Sequence, residues 1–192
     1  MSAVLGPIHY WLYGKIGNQE ELTAEIADLA EQNGWIEDAA HYQKSLPALE
    51  TVIDEGNIHG WLQAQINDAE TRYADLVTKI LAGDEARMDA LLKAAEQFGE
   101  QHAVAAGSPE EAYKALDDFF VNGMPCDRVN VKTGSDEDHV SWEMTQDIHG
   151  QYWHGTSAPY YALRRSVMEG MLKNSGYVLN AGDDFHYSII TE

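Results

Sequence analysis

Apolar side chains return along the first two thirds of the chain at intervals of three and four, the spacing of a helix with one buried face. Past Pro125 the pattern changes to strict alternation, the spacing of strands. Ile8, Trp11, Leu12, Ile16 and Ile26 share one arc at about 100° per residue, and Ile58, Trp61, Leu62, Ile66, Leu76 and Ile80 share another. The first arc predicts a helix over 7–32, opened by Pro7 and closed at Asn33-Gly34. A short helix over 35–44 should follow and end before Pro47, with another turn or two within 46–54. The second arc predicts a helix over 57–82 with Asn57 as its N-cap. Residues 85–107 are rich in helix formers, and Ser108-Pro109-Glu110-Glu111 has the form of a capping box opening a helix that reaches Val121.

The two long helices share more than a pattern. Ile8–Ala24 and Ile58–Ala74 carry seven identities in seventeen positions at an offset of fifty: isoleucine, histidine, tryptophan, leucine, isoleucine, glutamate and alanine. The recurrence reads as a duplicated helix motif.

In the last third, 128–132 and 139–145 alternate around the polar turn 134–138 and predict a hairpin that covers Val129, Val131, Val140, Trp142 and Met144. The other face would carry Arg128, Asn130, Lys132, His139, Ser141 and Glu143. A helix over 157–175 and a final strand over 185–191, paired with 177–179, complete the reading. The fold class is therefore α+β and predominantly helical. An N-terminal multi-helix bundle over 1–125 holds the repeat, and a small antiparallel sheet with one packed helix over 126–192 sits on it as one globule.

Thirty-two acidic against twelve basic residues give a formal charge of −20, which argues against nucleic acid and anionic membrane surfaces as partners. Cys126 is the only cysteine, so no disulfide forms within the chain. With no secretory pattern at the start and no long apolar run, the expectation is a soluble, cytoplasmic protein.

Candidate chemistry falls in two places. If the repeated helices run parallel, His9 faces His59 and Glu20 faces Glu70, which offers two imidazoles to a transition metal such as zinc, iron or manganese. A four-helix di-metal pattern is incomplete, because Asp38-x-x-His41 has no carboxylate counterpart in Gly99-x-x-His102. The second place is the irregular stretch 146–158. There Asp147, His149 and His154 lie within eight residues, the spacing of a general base or of metal ligands on the two histidines. Glu143, Tyr152, Trp153, Tyr160 and Arg164 would supply ligand contacts around them. Two functions follow as expectations. One is a small-molecule-binding protein, metal-dependent and hydrolytic or redox if it is an enzyme, with its site where bundle meets sheet. The other is a noncatalytic homodimeric interaction module.

Overall fold

The computed structural model describes residues 4–192. Helix α1 (Pro7–Gln32) ends as its sequence requires: Gly34 takes a φ of 69°, its N–H bonds Glu31 O at 2.9 Å, and the Trp35 N–H bonds Ala30 O at 2.8 Å. Helix α2 (Ile58–Gly83) lies parallel to α1. The rings of His9 and His59 are 5.6 Å apart, those of Tyr13 and Trp61 are 5.9 Å apart, and further along Glu20 meets Arg72.

Two consecutive parallel helices need a connection that travels back along the first. The path beside a 26-residue helix is about 39 Å, of which a ten-residue helix would cover only about 15 Å. The chain between them is accordingly mostly non-helical. The short helix expected over 35–44 reduces to one 3-10 turn, Ala39–His41, with a second at Leu49–Thr51. Asp38 and Glu31 hold the first turn by accepting from the Ala40 and Ala39 N–H groups at 2.9 and 3.0 Å.

Helix α3 (Met88–Gln101) follows a 3-10 turn, and α4 (Pro109–Phe119) is capped by Ser108, whose hydroxyl accepts the Glu111 N–H at 3.2 Å. The Glu111 carboxylate reaches back one residue further than a capping box would, to the Gly107 N–H at 2.8 Å. Strands β1 (Asn130–Ser135) and β2 (His139–Met144), helix α5 (Ala158–Leu172), and strands β3 (Tyr177–Ala181) and β4 (His186–Thr191) complete the chain. The sheet is antiparallel with order β1-β2-β4-β3.

Val140, Trp142, Met144, Tyr187 and Ile189 are buried beneath α4 and α5, as the alternation predicts for β2. Strand β1 is in the opposite phase from the one expected. Lys132 pairs with Trp142 across the ladder and Val131 with Glu143, so Lys132 faces α4 and Val131 is 41% exposed. The cause lies on α4. Glu110 takes Lys132 and Ser135, and Asp117 takes the Asn130 amide at 2.9 Å, so polar groups rather than valines bind this edge strand to the helix. Val129, just before the strand and after the left-handed Arg128, is buried as expected.

The principal core runs through residues on both sides of Pro125, and a smaller one gathers Leu12, Ile16, Leu49, Ile58, Leu62 and Ile66 at the starts of α1 and α2. Backbone meets backbone where α3 crosses α5. A Cβ on Gly99 would lie 2.2 Å from Val167 O, and one on Gly170 would lie 2.1 Å from Glu96 O. Gly99→Ala or Gly170→Ala should therefore force the helices apart and destabilise the fold by about 1–3 kcal/mol in urea or thermal melts. Gly14→Ala, on an open stretch of α1 with nothing within 4 Å, should stabilise it by about 0.5–1 kcal/mol. Equal effects at the three positions would contradict this packing.

Candidate functional site

Along α2 the buried stripe runs Ile66, Glu70, Tyr73, Val77, and the second of these is a carboxylate that is 1% exposed. A charge in that position needs a partner, since an isolated ion in a low-dielectric interior is heavily penalised. The partner comes from the loop between β2 and α5. His149, 0% exposed, places Nδ1 3.0 Å from Glu70 Oε1. Its ring stacks on Tyr160 with centroids 3.8 Å apart and meets Tyr161 edge-on at 6.1 Å. Burial pushes both phenols far above their ordinary pKa, so they remain neutral.

Asp147 sets the loop. Its carboxylate accepts the N–H groups of His149 and Gly150 at 3.1 and 2.8 Å, the Tyr161 hydroxyl at 2.6 Å and the Ser157 hydroxyl at 2.9 Å. Partial burial raises its pKa, but these donors, Tyr161 foremost, outweigh burial and the net shift is downward. Asp147 therefore positions His149 through the backbone; the carboxylate on the imidazole is Glu70.

Two atoms of the pair stay without a hydrogen-bond partner among the described residues, His149 Nε2 and Glu70 Oε2. Both residues line a cavity of about 180 Å³, walled also by Gln63, Asp127, Gln151 and Tyr152. The Tyr152 hydroxyl bonds Asn67 Oδ1 at 2.6 Å, which ties the loop to α2 at the rim. With Nδ1–H given to Glu70, a neutral imidazole presents its lone pair at Nε2, the arrangement of an oriented general base.

The remaining expected site residues are dispersed. His154 is exposed and, with Trp153, lines a separate, open cleft of about 520 Å³ near Met88 and Pro159. Glu143 lies on the open sheet face, 3.7 Å from His186. Arg164 is buried, giving its guanidinium to the Tyr160 hydroxyl at 3.2 Å and to Asn122 Oδ1 at 2.9 Å, and it lies over the Phe120 ring. His9 does meet His59, with Nδ1 accepting the Gly6 N–H at 2.9 Å and Nε2 without a hydrogen-bond partner among the described residues.

Glu20 does not face Glu70; it takes Arg72, which also bonds Asp68 and the Tyr42 carbonyl. Among the described residues no three His, Cys, Asp or Glu side chains group as metal ligands. The residues that were to share a metal, His149 with His154 and His9 with His59, thus lack a complete ligand set, and Asp147 is already held by four donors.

No family model matches the chain, and neither the curated proteins nor the solved structures contain a match.

A carboxylate held below its ordinary pKa of 3.8 stabilises the fold fully above that value, and the contribution fades as pH falls through the lowered pKa. The stability gap between wild type and Asp147→Asn, read from thermal melts, should be widest near neutrality and close below pH 3.8. A gap independent of pH would mean that Asp147 does not bind the loop as an anion.

Proposed function

We propose that the protein binds a small molecule in the cavity between α2 and the β2–α5 loop, and that His149, oriented by Glu70, moves a proton there. The observation that carries this reading is the buried imidazole–carboxylate pair, two residues that line a cavity and whose outer nitrogen and oxygen have no hydrogen-bond partner among the described residues. Carboxylate behind imidazole fixes the tautomer and stabilises the imidazolium that forms when Nε2 takes a proton. The lining carries no serine, threonine or cysteine, and the hydroxyl of Tyr152 is given to Asn67 Oδ1, so in this reading the proton comes from a bound water or from the ligand itself. Deprotonated water attacking an electrophilic carbon makes this a hydrolytic step. At about 180 Å³ the cavity suits a small substrate or the reacting end of a longer one. On the same reading the repeated helix was copied and its copies diverged, Glu20 into a structural ion pair and Glu70 into the site.

The second reading, a noncatalytic module that pairs with a copy of itself, draws on the open sheet face, where Val178 and Ile190 pair across adjacent strands and are 40% and 37% exposed. A Val178→Lys/Ile190→Lys variant, followed by sedimentation, would then convert a dimer to a monomer.

A fragment screen read by amide chemical shifts tests the first proposal. Binders should move the amides of Gln63, Glu70, His149, Gln151 and Tyr152, and His149→Gln should lower turnover of any hydrolysed fragment by about 10²–10⁴-fold while leaving the circular dichroism spectrum unchanged. Shifts confined to the cleft at Trp153 and His154, or turnover that survives His149→Gln, would overturn it.

A further inference from the structure

Behind Arg164 and Tyr160, α1 carries Lys15, a lysine that is 2% exposed. Buried ammonium groups are ordinarily paired. Here none of the described residues hydrogen-bonds to Nζ or forms an ion pair with it; Nζ instead sits 3.6 Å from the centroid of the Trp11 ring. That ring is fixed, because its N–H bonds Asp118 at 2.9 Å. Lys15 lines a cavity of about 340 Å³ together with Trp11, Asp117, Asn122, Arg128 and Asn130. Asp117 shares the cavity but is engaged by the Asn130 and Asn122 amides at 2.9 and 3.4 Å. The cavity meets the one at His149 only along Gly123.

We infer that Lys15 is a nucleophilic amine and that this cavity takes a small aldehyde or ketone, held as a Schiff base on Nζ. The free amine adds through its lone pair to the carbonyl carbon, the C–O bond then breaks, and both amine hydrogens leave with that oxygen as water. The products are the imine and one water, and nothing is oxidised or reduced. The Trp11 face stabilises the cationic iminium form as it does the ammonium.

Burial lowers the Lys15 pKa from 10.5 to about 8; Asp117 and Asp118 pull it up, while Arg164 and Lys114 push it further down. The difference leaves a free-amine fraction at neutral pH roughly 300-fold larger than that of an ordinary lysine.

The test is reductive alkylation of the wild-type protein with acetaldehyde or with the polymeric aldehyde of oxidised dextran, each with cyanoborohydride, mapped by peptide mass spectrometry. With acetaldehyde, Lys15 should label at least about tenfold faster than exposed Lys93, and its rate should level off above pH 8 while that of Lys93 keeps rising. The larger aldehyde should erase the preference, because the cavity excludes it. Labelling of Lys15 no faster than Lys93, or a preference insensitive to aldehyde size, would overturn the inference.

Discussion

Charge buried on helix faces that ought to be apolar is the constraint around which this interior is arranged. Glu70 on α2, Arg164 on α5, and Lys15 and Glu20 on α1 are each 5% exposed or less. Removing the partner of such a group costs about 3–5 kcal/mol, a large part of the roughly 5–15 kcal/mol that keeps a domain folded. The neighbours are chosen accordingly. Glu70 has His149, Glu20 has Arg72, and Arg164 has Tyr160 and Asn122, from which the chain of contacts continues through Asp117 to Asn130 on β1. Packing of the sheet on α4 thereby depends on the same polar groups that settle Arg164. Apolar side chains of similar volume would serve stability at least as well. Under the proposed function, the ionic interior serves proton transfer and binding rather than stability.

The parallel run of α1 and α2 decides where that chemistry can sit. It brings the first halves of both helices to one end of the molecule, beside the α4–β1 connection and the β2–α5 loop. Lys15 and Glu70 then project from rigid helices toward loops that carry Asn122, Arg128 and His149. Rigid elements supply precision and loops supply variable groups, which is the usual division of labour at binding sites. The Asp147 turn makes its loop an extension of the scaffold, since four donors fix it before any ligand arrives.

The helices were legible because their ends are written in local chemistry. Pro7, Gly34, Asn57 and Ser108-Pro109 act within a few residues, and both 26-residue helices fall within a residue of their expected bounds, whereas α3 and α5 stop at Gln101 and Leu172, short of the expected 107 and 175. The crossover between α1 and α2 was not legible, because its conformation answers to the direction of a helix that comes later. The phase of β1 was hidden for a related reason: alternation alone places the valines inward, whereas Glu110 and Asp117, from another element, draw Lys132 and Asn130 there instead. His149 was identified as a candidate but given the wrong carboxylate, since Asp147 is two residues away and Glu70 is seventy-nine. A signal for Glu70 did exist. It occupies a core position in the stripe Ile66, Tyr73, Val77, and a carboxylate there announces a buried partner.

The composition sharpens what the interior implies about Lys15. Acidic side chains outnumber basic ones by 32 to 12, so the field of the whole chain favours protonated amines and a carboxylate is seldom far from any lysine. Lys44, Lys114, Lys132 and Lys173 each have one. Among the described residues Lys15 does not, nor do the exposed Lys79 and Lys93; but Lys15 is buried, and Asp117 and Asp118, close enough to act on it, are held, one by two asparagine amides and the other by Trp11 and Lys114. The amine is therefore unpaired through the engagement of its neighbours and not through any shortage of acids. Burial then prevails over the acidic field. An ammonium needed only to pack would gain by pairing; one kept buried without a carboxylate partner and beside open volume loses its proton more readily, even against an aromatic face that favours the cation.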